Sequence, residues 1–185
     1  YDVSELFVGL RKGDSIIATQ LMDSFIKRNP AGVPPNFRNG DVITTVVHVL
    51  DVLKDEPAAI ADEDKEKKKF LEGELAFMTK YLADKKIQAQ KTPSGAFVEI
   101  INPGEGALID SGKYVSVNYT GTSFSGVVFD SNTDSAFRHV QPMSFTVGIG
   151  QMIKGFDEAM RFLRPGGVAK VYIPSMLAYG ARPQS

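Results

Sequence analysis

Three absences from the sequence narrow the range of functions. The 185 residues contain no cysteine, which excludes disulfide bonds, thiolate catalysis and any zinc site with cysteine ligands. The 21 lysine and arginine residues are balanced by 22 aspartate and glutamate residues, so the basic surplus that strong non-specific nucleic-acid binding needs is missing. No apolar run reaches the length of a membrane-spanning helix, so the sequence predicts no membrane span.

The common catalytic and cofactor motifs are also missing. The chain has two histidines, His48 and His139, and they are not spaced as a pair of metal ligands. No Gly-x-Ser-x-Gly elbow occurs, and Gly148-Ile149-Gly150 lacks the third glycine of a dinucleotide fingerprint. We therefore expect no metal, no cofactor and no covalent catalysis. We interpret the glycines as turn residues between a strand and a helix, and His139 as a solvated loop residue.

The composition and the periodicity of the sequence change twice along the chain. These changes predict three segments: residues 1–54, 55–91 and 92–185. The first segment holds two runs with β propensity, Asp14–Leu21 and Asp41–Leu53, and the second run is rich in valine and threonine. The second segment has helical periodicity and many charges. The third alternates short strands with turns and contains one short helical stretch, which together are typical of an α+β domain.

Residues 55–91 are predicted to form a long charged helix that Asp55 caps at its start. Its apolar side chains lie in an arc of about 160° and are confined to the second half. They are Phe70, Leu71, Leu75, Phe77, Met78, Tyr81 and Leu82. We expect a spacer whose C-terminal half packs on a neighbouring domain, with a dimer seam along the same arc as the alternative.

Five short motifs in residues 92–185 carry the strongest functional signal. In chain order they are Tyr119-Thr120-Gly121, Phe129-Asp130-Ser131, Phe145, the run QMIKGFDE that begins at Gln151, and Ile173-Pro174 followed by Leu177-Ala178-Tyr179-Gly180. In this order and spacing the segment resembles the FKBP-type peptidyl-prolyl isomerases. The resemblance implies a twisted antiparallel β-sheet wrapped over a short α-helix, with a shallow apolar pocket between them and no cofactor.

The resemblance also assigns residues to that pocket. The residues expected to act in catalysis are Tyr119, Asp130, Phe156 and Tyr179, of which Phe156 forms the floor and Tyr179 donates a hydrogen bond to a substrate carbonyl. The residues expected to bind substrate are Phe129, Arg138, Met143, Phe145, Met152 and Ile153, with Arg138 as the basic partner of Asp130. Phe156 stands where the family most often has tryptophan, and Met143 where an aromatic residue is common. Core packing alone is the competing interpretation of the phenylalanines.

Residues 1–54 are similar to the back half of the same family. Leu10-Arg11-Lys12-Gly13 parallels Leu163-Arg164-Pro165-Gly166, and Val33-Pro34-Pro35-Asn36 followed by Asp41–Leu53 looks like the family's closing loop and last strand. The pocket residues are poorly kept, so we interpret this segment as a partial, degenerate module. The second module stops without its closing strand, and we expect a fragment of a longer tandem protein. Exchange of Asp41–Leu53 into the second module, within one chain or between two copies, is the alternative.

The leading hypothesis is a peptidyl-prolyl cis-trans isomerase that assists folding of proline-containing polypeptide clients, with macrolides as a further ligand class that the resemblance implies. The alternative is a peptide-binding or chaperone module that uses the same pocket with weak or no catalysis. In a third interpretation, the first module and the helix form a scaffold for the second. Helix-tethered members of the family are often bacterial cell-envelope proteins, so the resemblance implies a periplasmic location, with a cytoplasmic one as the alternative.

Overall fold

A computed structural model of the chain describes residues 6–28, 32–33 and 36–180. The chain divides into two compact units, Tyr1–Glu63 and Asp64–Ser185. Pro34 and Pro35 of the predicted first-module loop, and the last five residues of the chain, lie outside the described residues. Within the described ranges, no helix combines the length and the apolar character that crossing a membrane requires.

The first unit contains a two-stranded antiparallel ribbon. Strand β1 spans Ser15–Leu21, helix α1 spans Met22–Arg28, and strand β2 spans Val42–His48. Ser15 pairs with His48 at one end of the ribbon and Leu21 pairs with Val42 at the other. The predicted strand Asp41–Leu53 is therefore too long, because its pairing partner begins at Ser15. Beyond this last pair, the Gly13 N–H still donates to the Val49 carbonyl at 2.8 Å, with Gly13 at a φ of 90°.

Helix α2 spans Glu56–Asp84 and begins as the sequence predicts. The carboxylate of Asp55 accepts a hydrogen bond from the Ala58 N–H at 2.9 Å, which satisfies one of the free donors of the first turn. The exposed first half of the helix has no apolar face to bury. Its charged side chains face solvent, as the pattern of acidic and basic residues indicates.

The end of α2 comes earlier than residue 91, where the sequence analysis placed it. Lys86 adopts a left-handed φ of 55°, and the Ile87 N–H donates to the Leu82 carbonyl at 2.9 Å. This six-to-one hydrogen bond is the mark of a Schellman end, and Ile87 packs beside Leu82 as that motif favours. Lys86 occupies the left-handed position that glycine usually takes at the end of a helix. The sequence therefore gives no sign that α2 ends here.

The apolar second half of α2 belongs to the second unit and packs within it. Met78 and Leu82 are buried against Phe97 and form a small core cluster. The residues packed around it are Leu75, Tyr81, Ile87, Ala89 and Tyr172. Burial of this apolar arc is the main contribution to the position of the helix, because non-directional apolar contacts scale with the area removed from water.

The second unit is built from short antiparallel strands and one short helix, which confirms the α+β class. The elements are β3 (Gln90–Lys91), β4 (Phe97–Asn102), β5 (Tyr114–Val117), β6 (Thr120–Thr122), β7 (Val128–Ser131), β8 (Met143–Thr146), α3 (Lys154–Met160) and β9 (Val168–Tyr172). They pair as three ladders, β3-β4-β9, β5-β8 and β6-β7, where one continuous sheet was expected. The register is irregular within the β4–β9 pair, between Ile100 and Asn102, and within the β6–β7 pair, between Gly121 and Thr122.

Helix α3 lies against the main core of this unit. The buried core residues are Val98, Phe145, Val147, Ala159, Met160 and Leu163. Gly155 permits the close approach of α3, since a Cβ at that position would lie 2.5 Å from Cγ2 of Ile173. After the helix, Gly166 adopts a φ of 74° and the Gly167 N–H donates to the Arg164 carbonyl at 2.8 Å. These features are those of the type II turn that the sequence predicts here, with Pro165 at its second position and Gly166 at its third.

Replacement of Met78 by alanine tests the packing of α2 within the second unit. We expect Met78→Ala to lower the free energy of unfolding by about 2–5 kcal/mol, because it removes buried apolar atoms and leaves a cavity. Urea unfolding followed by circular dichroism measures the loss. Phe70→Ala is the matched control, because this side chain of the same helix is nearly half exposed. Equal losses in the two variants would contradict the buried arc.

Candidate functional site

Tyr119 and Asp130 are joined by a hydrogen bond at the centre of the predicted site. Tyr119 lies in the link between β5 and β6, and Asp130 lies on β7 opposite Gly121. The Tyr119 hydroxyl donates to Oδ2 of Asp130 at 2.6 Å, a short distance typical of a bond to a charged acceptor. Both side chains are partly buried, so the bond is shielded from full competition by water.

This hydrogen bond shifts the pKa values of its two partners in opposite directions. The bond to Asp130, followed by burial and the charge of that carboxylate, raises the pKa of Tyr119 to about 12. The same bond is the largest cause that lowers the pKa of Asp130 below its ordinary value. At neutral pH the site therefore contains a neutral phenol and an ionised carboxylate.

Aromatic rings line the site on its apolar side. The ring of Phe156, on α3, lies 6.4 Å from that of Tyr119 at 69° and 5.9 Å from that of Phe145 at 47°. Both distances fall in the range of favourable aromatic pairs. Phe145 is 2% exposed and supports Phe156 from the core, whereas Phe156 is partly exposed. Phe156 is thus the ring of this stack that has both a core support and an accessible surface.

Four more residues were assigned to the pocket by the resemblance: Phe129, Met143, Met152 and Ile153. Met152 and Met143 are partly buried and pack against the main core. Ile153 precedes α3, and its carbonyl accepts hydrogen bonds from the first turn of that helix. The ring of Phe129 lies over Gly121, where a Cβ would approach it within 2.8 Å.

Tyr179 lies at the exposed rim and is 59% exposed. It is close enough to Tyr119 to raise the pKa of that phenol slightly. The 3-10 helix Ser175–Leu177 leads into Tyr179, and its cap residue Pro174 makes no side-chain cap bond. Glu74 of α2 accepts a hydrogen bond from the Ser175 N–H at 3.1 Å in its place. This contact ties α2 to the segment that carries Tyr179.

His139, rather than Arg138, contacts Asp130. His139 Nε2 lies 2.8 Å from Oδ1 of Asp130, while the side chain stays 49% exposed, as the interpretation of a solvated loop residue expects. Arg138 follows the 3-10 helix Ser135–Phe137 and adopts a left-handed φ of 60°. The change of backbone direction at Arg138 brings the next residue onto Asp130. A sequence motif does not reveal such a change in a loop without strand or helix periodicity.

Asn132 is a structural residue of the site that the sequence analysis missed. Its side chain is 3% exposed and makes three hydrogen bonds. Oδ1 accepts from the Tyr119 N–H at 2.8 Å, and Nδ2 donates to the carbonyls of Val117 at 2.9 Å and Gln141 at 3.1 Å. Asn132 therefore fixes the backbone of Tyr119 and one end of the following loop. Asn132 stands in a polar stretch of the sequence, where no pattern indicates that its side chain is buried.

A cavity of about 460 Å³ opens beside the aromatic stack. Its lining residues are Tyr119, Asn132, Arg138, His139, Val140, Gln141 and Met143. It shares Tyr119 and Met143 with the predicted apolar pocket but extends under the polar loop that contains His139. In the described part of the chain, no three histidine, aspartate or glutamate side chains converge as a metal site would require.

Substitution of Asn132 tests its role as the support of Tyr119. We expect Asn132→Asp to lower the free energy of unfolding by about 1–3 kcal/mol, because two carbonyls lose their donor and face a carboxylate. Asn118→Asp adds the same charge at an exposed position next to Tyr119 and is expected to change stability by less than about 0.5 kcal/mol. Chemical denaturation of both variants decides the point. An unchanged free energy of unfolding in Asn132→Asp would contradict the role of its three hydrogen bonds.

Removal of the Tyr119 hydroxyl tests whether its hydrogen bond lowers the pKa of Asp130. We expect the pKa of Asp130 to rise in Tyr119→Phe, measured by carbon NMR of its carboxyl group. A pKa lowered by folding stabilises the protein above the unfolded-state pKa, and this contribution is lost as the pH falls through the folded-state value. Tyr119→Phe should therefore be destabilised most near neutral pH. Tyr114→Phe, on an exposed side chain, is the control, and an unchanged Asp130 titration would contradict the assignment.

Comparison with known proteins places this site in a family. Residues 106–185 match the family described as FKBP-type peptidyl-prolyl cis-trans isomerase. A protein of Neisseria meningitidis serogroup B named FK506-binding protein is 40% identical over 87 residues, which are 47% of this chain and 76% of the relative. FK506-binding protein 4 of Rhizopus delemar is 40% identical over 92 residues, but the chain spans only 23% of that protein.

Solved structures of the same family are also similar to this chain. The crystal structure of FkpA from Escherichia coli matches at 26% identity with a TM-score of 0.47, over 71% of this chain and 64% of that one. The structure of three FKBP domains of wheat FKBP73 matches at 26% identity with a TM-score of 0.45, over 51% of this chain and 40% of that one.

Proposed function

The chain belongs to the FKBP-type peptidyl-prolyl cis-trans isomerase family, and we propose that it catalyses rotation about X–Pro peptide bonds in the pocket beside Phe156. The observation that carries this proposal is the partly exposed Phe156 ring, which packs between Tyr119 and the buried Phe145. A proline ring is apolar and flat on two faces, so an aromatic floor of this kind is suited to hold it.

The chemistry requires no nucleophile. Rotation about an amide costs about 18–20 kcal/mol because it breaks the resonance of the C–N bond, and free X–Pro bonds exchange over tens to hundreds of seconds. The twisted transition state has lost that resonance and is less polarised than the planar amide. An apolar surface therefore disfavours the planar ground state more than the twisted state, which lowers the barrier.

The polar residues of the site have supporting roles in this proposal. The bond to Asp130 holds the Tyr119 hydroxyl, so that the phenol ring is fixed against Phe156. Tyr179, at the exposed rim, is positioned to donate to a carbonyl of a bound peptide. Met143 and Arg138 line the adjoining cavity. The proposal assigns the rest of the wall to Phe129, Met152 and Ile153.

The test is acceleration of cis-trans exchange in a short X–Pro peptide by the 185-residue chain. We expect Phe156→Ala to lower kcat/KM by about 10- to 100-fold, and Tyr179→Phe by a smaller factor, because each removes a contact with the twisting peptide. Phe70→Ala and Tyr114→Phe are the matched controls, since both are exposed side chains outside the pocket. Their rates should equal that of the unmodified chain.

Two outcomes oppose the proposal. A folded chain that accelerates no X–Pro exchange would overturn catalysis, and peptide binding without acceleration would favour the alternative function as a binding or chaperone module. Loss of activity in the controls as well as in Phe156→Ala would point to general instability instead of a defined pocket. Circular dichroism of each variant distinguishes these cases.

The ligands follow from the same pocket. We propose proline-containing polypeptides as clients, and the name of the Neisseria and Rhizopus relatives, FK506-binding protein, supports a macrolide as a second ligand class. The assignment of residues 1–54 to a degenerate module, a dimer through the helix or strand exchange, and a cell-envelope location stay predictions of the sequence.

A further inference from the structure

His139 lies at the boundary between the proposed isomerase pocket and the polar loop. Its Nε2 contacts Oδ1 of Asp130 at 2.8 Å, while Oδ2 of the same carboxylate accepts from Tyr119. The side chains of His139 and Asp130 are 49% and 32% exposed, so the pair is accessible to protons but shielded on one side. Asp130 thus connects a titratable ring on the loop with the phenol that packs on Phe156.

The groups around His139 have different responses to pH. From β7 it faces Asp130, whose pKa is lowered, and from the β5–β6 link it faces Tyr119, whose pKa is about 12. Arg138 and Asp134 lie on its own loop, where the Asp134 carboxylate accepts from the Ala136 N–H. The phenol of Tyr179 interacts with that of Tyr119. Histidine is the side-chain type whose charge ordinarily changes between about pH 5 and pH 8.

We propose that His139 is a positioning residue of the isomerase pocket, and that its protonation strengthens the hold on Asp130 and improves peptide binding. This inference rests on the proposed function, because it concerns the binding step of the same reaction. It assigns to His139 the place that the resemblance gave to an arginine, with a group that can lose its charge.

The loop geometry supports this role. Asn132 Nδ2 donates to the Gln141 carbonyl, so the loop is anchored two residues beyond His139. Between Asn132 and that anchor, the His139–Asp130 contact pins the loop to β7 across the 460 Å³ cavity. Without this contact the loop would be held at its two ends, and the residues between them would be free to move.

Charge provides the second part of the argument. A protonated imidazole forms a charge-assisted bond that partly neutralises Asp130, and such bonds are about twice as strong as neutral ones. A neutral imidazole leaves the full carboxylate charge beside a surface that must hold an apolar proline. The carboxylate then retains more water, and a peptide must displace that water when it binds. Peptide affinity should therefore fall as the pH rises.

The experiment measures KM and kcat for an X–Pro peptide between about pH 5 and pH 8. For the unmodified chain we expect KM to rise about two- to tenfold across this range, with a smaller change in kcat, as expected when an effect acts on binding. His139→Gln should give a high KM at every pH. His139→Arg, which keeps a permanent positive charge, should restore a low KM that is independent of pH.

His48→Gln is the matched control, because His48 is the other histidine and bonds to Ser15 in the first unit. Its pH profile should be that of the unmodified chain. The same KM profile in His139→Gln and the unmodified chain would overturn this inference and leave the proposed function intact. Absence of activity in the unmodified chain at every pH would overturn both. A pH dependence that persists in His139→Arg would assign the effect to another group.

Discussion

The hydrogen bond between Tyr119 and Asp130 is the constraint on which the geometry of the site depends. The two residues are 11 positions apart, and their bond links the end of β5 to β7 across the β6–β7 ladder. It fixes the Tyr119 ring at 6.4 Å from that of Phe156, so a polar contact determines the shape of an apolar surface. Hydrogen bonds can do this because they are directional, whereas the burial of rings depends mainly on area.

The same principle extends outward from that bond. Asn132 holds the Tyr119 backbone, His139 holds the opposite oxygen of Asp130, and Glu74 holds the segment before Tyr179. Through these bonds, Asn132 and Glu74 contact backbone outside the strand ladders, whereas His139 contacts the side chain of Asp130 on β7. The aromatic residues provide the surface of the pocket, and the polar residues determine where that surface lies. Substitution of either set should therefore disturb ligand binding, by different physical routes.

Local signals in the sequence predicted local features correctly. The Asp55 cap, the turn at Gly166 and the apolar arc of α2 each depend on residues within a few positions of one another. The errors arise where distant parts meet. Strand β2 ends at His48, opposite Ser15 where its partner strand begins, and Glu74 and Ser175 are 101 residues apart. The contact between His139 and Asp130 depends on the left-handed backbone conformation at Arg138. Because this residue is not a glycine, the sequence does not indicate that conformation.

The second half of helix α2 is part of the second unit and not a spacer outside it. Its second half buries Met78 and Leu82 against Phe97 of β4, and Phe97 pairs in register with Tyr172 of β9. From β9 the chain runs directly through Pro174 to Ser175, where Glu74 of the same helix accepts the backbone N–H. The helix thus contacts both ends of the segment between Tyr172 and Ser175, and the 3-10 helix begins at Ser175, four residues before Tyr179. Any displacement of this half of α2 would move the rim of the pocket, since a hydrogen bond to backbone transmits position even where the side chains are exposed.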